Sequence, residues 1–154
     1  IDLYESTDGE NWNDETYWGE AAGTENTWYG VSVEGDTVTQ LFMDSNNLTG
    51  AIPSTLGNFT GLRGLYLGLN HLAGTIPVEL WSLPNLNELG LGGNELSGTI
   101  PPDISNLTNL SALSLDENQL SGSIPVQLGS LTNLEDLDLA SRPRRLDGGT
   151  GCPR

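Results

Sequence analysis

The stretch Leu65-Tyr66-Leu67-Gly68-Leu69-Asn70-His71-Leu72-Ala73-Gly74-Thr75-Ile76-Pro77 decides the fold, because its frame returns every 24 residues. Asn46, Asn94 and Asn118 stand where Asn70 stands. Leu48, Leu72, Leu96 and Leu120 follow two residues later, and Gly50, Gly74, Gly98 and Gly122 four residues later. Ile-Pro then closes each frame, at Ile52-Pro53, Ile76-Pro77, Ile100-Pro101 and Ile124-Pro125. Upstream of each Asn lies an apolar pair: Leu41 and Met43, Leu65 and Leu67, Leu89 and Leu91, Leu113 and Leu115. A fifth frame opens with Leu134, Leu137 and Leu139, but Arg142 occupies its Asn position and the array stops.

Each Leu-x-Leu puts two apolar side chains on one face of a short strand, since strand side chains alternate with a period of two. The Asn falls where the chain leaves the strand. There its amide can bond turn backbone in its own and the adjacent coil, which would otherwise be buried unpaired. The glycine allows a turn that a side chain forbids, and the proline ends strand pairing and fixes φ. A single coil cannot bury its own leucines, so stability must come from stacked neighbours.

The pattern L-x-x-L-x-L-x-x-N-x-L-x-G-x-I-P, running over residues 38 to 141, resembles the plant-type class of leucine-rich repeats. The resemblance implies an α/β solenoid: a right-handed coil with a short parallel sheet on the concave side, second short strands near Gly-x-Ile-Pro, and 3₁₀ turns on the convex side. It also implies that ligands meet the concave face.

Residues 1–37 precede the array and read as an N-terminal cap. They hold Trp12, Trp18 and Trp28 of the four tryptophans, and three of the four tyrosines. Trp28-Tyr29-Gly30-Val31, then Val33 and the turn Glu34-Gly35-Asp36, reads as a strand and tight turn leading into the first repeat strand at Val38. The aromatics are expected to cover the apolar end of the first coil, with a sugar-stacking platform as the alternative. The cap also resembles those of secreted and surface leucine-rich-repeat proteins, but without the paired cysteines of plant receptors. It is closer to the cysteine-free caps of algal, other protist and bacterial members. Residues 142–154 form an irregular tail with one large apolar residue, Leu146, and the single cysteine, Cys152. Either the tail lies across the last coil, or the chain continues, or another molecule covers that end. Cys152 is read as a free thiol or as an unpaired partner for another chain. No signal peptide or membrane span is visible in the 154 residues, and the N-terminus reads as a processed or truncated end.

Twenty-one acidic residues against five arginines and no lysine give a net charge of −16. Ten of the acids fall between Asp2 and Asp36, and four of the arginines between Arg142 and Arg154. Nucleic acid and anionic membranes are therefore disfavoured partners, and direct membrane insertion is not expected. Basic proteins, neutral glycans and calcium stay open. The cofactor expectation is none, with calcium the weak exception at Asp116, Glu117, Glu135, Asp136 and Asp138, which lack the spacing of the helical calcium loop.

The outward positions of the repeat strands tile the concave face. One row runs Phe42, Tyr66, Gly90, Ser114, Asp138 and the next Gln40, Gly64, Glu88, Ala112, Asp136, with Asp44 and Asp116 beyond. Gln40, Phe42, Asp44, Tyr66, Glu88, Ser114, Asp116, Asp136 and Asp138 are the candidate ligand-binding residues. Phe42 and Tyr66 are the expected anchors, against the plainer reading of ordinary exposed apolar surface. A lateral strip, Thr49/Ala51, Ala73/Thr75, Ser97/Thr99 and Ser121/Ser123, fits packing against protein, glycan or ice, and equally a plain second strand.

Asn47, Asn58, Asn106 and Asn109 match the glycosylation acceptor pattern, which points to a secreted or cell-surface protein. N-L-T also arises from the repeat consensus itself. Catalysis is not expected. His71 is the sole histidine, no nucleophile elbow or phosphate loop occurs, and a shallow solenoid lacks the cleft that paired carboxylates need. Two functions remain: an extracellular recognition module binding protein or glycan through its concave face, or a structural component that self-assembles in a matrix, wall or fibre.

Overall fold

The computed structural model describes residues 2–18, 20 and 24–140. A short helix, α1 (Asp2–Ser6), and two 3₁₀ turns at Gly9–Asn11 and Glu25–Thr27 lead into β1 (Val31–Glu34) and β2 (Thr37–Phe42). The coils then supply β3 (Thr49–Ala51), β4 (Gly64–Tyr66), β5 (His71–Thr75), β6 (Glu88–Gly90), β7 (Glu95–Gly98), β8 (Ala112–Ser114), β9 (Gln119–Leu120) and β10 (Asp136–Asp138). These make a six-stranded sheet in the order β1-β2-β4-β6-β8-β10 and a four-stranded sheet in the order β3-β5-β7-β9. All repeat strands pair in parallel; β1 alone is antiparallel, joined to β2 through Gly35 and Asp36.

Each Ile-Pro is followed by a 3₁₀ turn, at Ser54–Asn58, Val78–Ser82, Pro102–Asn106 and Val126–Ser130. The proline holds an extended conformation at the turn's entrance, and each turn drives one side chain inward: Leu56, Leu80, Ile104 or Leu128. With Leu65, Leu67, Leu89, Leu91, Leu96 and their equivalents they form one continuous buried column. Gly50, Gly74, Gly98 and Gly122 all have positive φ, the left-handed backbone expected of the turn glycine.

The Asn residues do what their position requires. The carbonyl oxygen of Asn70 accepts from the amides of Asn46 and Leu48, at 2.9 and 3.0 Å. Its NH₂ donates to the carbonyls of Met43, Leu67 and Gly68. Asn94 and Asn118 repeat the scheme one and two coils on. Every coil is thus tied to the one before it through a side chain that replaces missing backbone partners.

The cap closes the N-terminal end as expected. Trp12 and Trp28 are buried, and Tyr4, Trp12, Trp18 and Trp28 form a chain of ring contacts at 5.3, 5.0 and 5.1 Å. Trp12 belongs to the core with Leu41, Met43 and Leu48, so it is packing material and not a sugar platform. Its indole N–H donates to the carbonyl of Thr7. Asp14 stands in for an absent coil: its amide donates to Asn46 Oδ1 at 2.7 Å, and Asn46 Nδ2 donates to its carbonyl at 2.9 Å.

Two expectations need correction. Trp28, Tyr29 and Gly30 precede the strand and do not belong to it. Gly30 has a φ of +72° with its α-carbon against the backbone of Phe42, so regular pairing starts only at Val31. The lateral hydroxyl strip is also not an in-register ladder. The second sheet pairs with a two-residue offset, setting Ala73 opposite Glu95 and Ser97 opposite Gln119. Ser97 and Ser121 also donate their hydroxyls to the carbonyls of Gly74 and Gly98. The tail, with Leu146 and Cys152, lies outside the described residues.

Candidate functional site: the concave sheet

Parallel pairing brings Phe42 on β2 and Tyr66 on β4 directly side by side. Neighbouring strands lie roughly 4.8 Å apart, close to the thickness of a ring stack. The two rings accordingly lie face to face, with centroids 4.6 Å apart and planes inclined by 6°. The Tyr66 hydroxyl donates to Glu88 Oε2 at 2.7 Å, which pins the outer end of the ring to β6. Burial, then the Glu88 bond and charge, push the phenol up to about 12. Phe42 remains 42% exposed, so the stack is presented and not buried.

Gln40 lies half-buried in the adjacent row, opposite Gly64, which in turn pairs with Glu88. Beyond the stack, Asp44 accepts from the amide of Gly68 at 2.6 Å. Burial raises its carboxyl above the ordinary range, and the Gly68 bond opposes that rise. Ser114 donates to Asp116 Oδ1 at 2.6 Å. Asp136 and Asp138 are exposed on the last strand, where Asp138 accepts from the amide of Ala140.

The structure therefore unites Phe42, Tyr66 and Glu88, with Gln40 in the same row as Glu88, while Asp136 and Asp138 stand apart on β10. Among the described residues no three His, Cys, Asp or Glu side chains come together as a metal would require, so the proposed calcium acids do not converge. His71 is exposed on β5, in the other sheet. The Tyr66–Glu88 bond was missed by sequence reasoning. The parallel 24-residue register is the signal that could have found it, because it sets position 88 beside position 64, over which the Tyr66 ring leans.

The glycosylation candidates divide in two. The Asn47 amide donates to the carbonyl of Asn11 and the Asn109 amide to that of Pro84, at 2.7 and 2.8 Å. Asn58 and Asn106 are exposed at the ends of convex 3₁₀ turns.

A coil that repeats every 24 residues around Asn-bonded turns, with an aromatic stack on its concave sheet, defines a repeat solenoid built for surface contact. Models of the leucine-rich repeat match residues 36–96 and 109–131. A chain in the BIR3–SERK2 complex from Arabidopsis thaliana is 34% identical, with a TM-score of 0.75 over 90% of this chain and 79% of that one. The BIR2 ectodomain from the same plant is 35% identical, with a TM-score of 0.80 over 87% and 73%. A plant ice-binding protein is 30% identical, with a TM-score of 0.81 over 91% of this chain but 45% of its own length. No curated protein sequence matches the chain significantly. The chain belongs to the leucine-rich-repeat family, in its plant-type form.

Proposed function

We propose that the protein is an extracellular recognition module that binds a protein or peptide through its concave sheet, with Phe42 and Tyr66 as anchors. The observation that carries this is the exposed, coplanar Phe42–Tyr66 stack held by Glu88. Stacked aromatics offer large contact area at low entropic cost, the property that concentrates binding energy in a few residues. Similarity to the BIR2 ectodomain and to a chain of the BIR3–SERK2 complex supports a surface location and a protein partner. The role is binding and not catalysis. No helix among the described residues is long and apolar enough to cross a membrane.

The test is selection of binders from a displayed peptide and secreted-protein library, followed by affinity measurement on variants. Phe42→Ala and Tyr66→Ala are expected to weaken the selected partner at least about tenfold each, while Thr75→Ala on the lateral sheet leaves affinity unchanged. The opposite pattern would move the site to the lateral sheet. If the protein passes through a secretory pathway that adds glycans, occupancy is expected at Asn58 and Asn106 and not at Asn47 or Asn109. Glycopeptide mapping checks this, and glycan found on Asn47 would contradict the amide bonds described above.

A second reading, self-assembly, rests on Ile124, Val126 and Leu137, which are exposed around the last coil. Light scattering across a concentration series separates the two, since assembly through this end requires mass to rise with concentration.

A further inference from the structure

One face of the Tyr66 ring is covered by Phe42 on β2; the other looks over β6. There the next residue of the row is Gly90, so the stack ends at a gap one strand wide. This glycine is not demanded by the fold. Its φ is not positive, and a β-carbon would sit 3.6 Å from Tyr66 Cδ1, an ordinary contact. Gly64 differs: a β-carbon there would lie 2.7 Å from Tyr66 Cε2. A strand glycine without a packing reason marks a place where something else approaches the backbone.

The ends of the gap are acidic. Glu88 precedes Gly90 by two residues on the same strand face, and one of its oxygens is bonded by Tyr66. At the other end Asp116 leans over Gly92, to within 2.3 Å of where a β-carbon would be, with Oδ1 taken by Ser114. Each carboxylate keeps its second oxygen for a ligand. Among the described residues Arg63 is the sole arginine, and it is paired with Glu34 at 2.8 Å. The protein as a whole carries −16.

We propose that the gap over Gly90 receives an arginine side chain of a basic partner, whose guanidinium becomes the third layer of the Phe42–Tyr66 stack between Glu88 and Asp116. This rests on the concave-face reading above and specifies its ligand. A guanidinium is flat enough to fill one layer, is drawn to an aromatic face, and carries N–H groups along its edge for carboxylates at both ends. An ammonium is a point charge and does not stack. A neutral ring or sugar stacks but leaves both carboxylates unanswered.

The experiment titrates the full chain with the pentapeptide amide Gly-Ser-Arg-Ser-Gly and its lysine and citrulline counterparts at low salt, read by NMR. The arginine peptide is expected to shift the Tyr66 ring and Gly90 amide resonances and to bind about tenfold more tightly than the citrulline peptide, with lysine between. Gly90→Val is expected to abolish the response without changing thermal unfolding, since the β-carbon fits and valine suits a strand. Equal responses to arginine and citrulline, or an undiminished response in Gly90→Val, would overturn the proposal. Binding that emerges only after Arg142, Arg144 and Arg145 are replaced by Gln would also overturn it, by showing the chain's own cations to be the competitor. If a library-selected partner is weakened by Phe42→Ala but is indifferent to Gly90→Val, the arginine fails and the concave-face reading stands. Indifference to both removes that reading as well.

Discussion

At the N-terminal end the Asn46 amide is bonded on both its oxygen and its nitrogen to the backbone of Asp14, and Trp12 roofs the leucines beneath it. At the C-terminal end Asn118 is only partly buried, and Leu137 is 44% exposed, although Leu113, one coil earlier in the same frame, is 1% exposed. Near-identical repeat units therefore differ in burial because of their neighbours. In a solenoid the stability of a coil is its own term plus its interfaces, and an end coil has one interface fewer.

The largest expected effect tests the capped end. Trp12→Ala removes a buried indole in contact with the first coil and should cost roughly 4 kcal/mol in chemical denaturation. A loss below about 1 kcal/mol would mean that the cap is an appendage and not the first layer of the core. Next, Asn70→Ala leaves buried amides of two residues and several carbonyls without partners, a cost on the order of 3 kcal/mol. Asn118→Ala, part-buried with one amide donor, should cost about 1 kcal/mol. Equal losses would erase the distinction between inner and terminal coils.

The smallest effect concerns the N-terminal half, which holds both tyrosines shifted to about 12. Tyr4 is raised chiefly by its hydrogen bond to Glu15, and Tyr66 by burial and then by Glu88. A phenol whose folded value is raised stabilises the fold fully below its unfolded value, roughly pH 10, and that contribution is lost as pH rises toward 12. Ultraviolet titration should show two late-ionising tyrosines, one brought down by Glu15→Gln and the other, less, by Glu88→Gln. No movement in either variant would contradict the two hydrogen bonds.

What could be read in the sequence follows the same division. The Asn positions, the inward leucines and the turn glycines were legible because a fixed period converts position into environment. The cap has no period, so the pairing of Asp14 with Asn46 and the start of β1 at Val31 depended on tertiary contacts that no local pattern encodes. On the concave face, Phe42 and Tyr66 were legible as outward residues. Their coplanar stack was not, because ring orientation is set by Gly64 beneath and Glu88 beside the ring. The offset of the second sheet likewise escaped, since equal spacing in sequence does not state which residues pair.

Hydroxyl-radical footprinting of the chain with and without its selected partner tests the concave-face site most directly, because it reads side chains on all three candidate surfaces at once. Phe42 and Tyr66 are expected to become protected while His71 on the lateral sheet and Val126 at the last coil are unchanged. Protection of His71 or Val126, with Phe42 and Tyr66 still reactive, would place recognition elsewhere and contradict it.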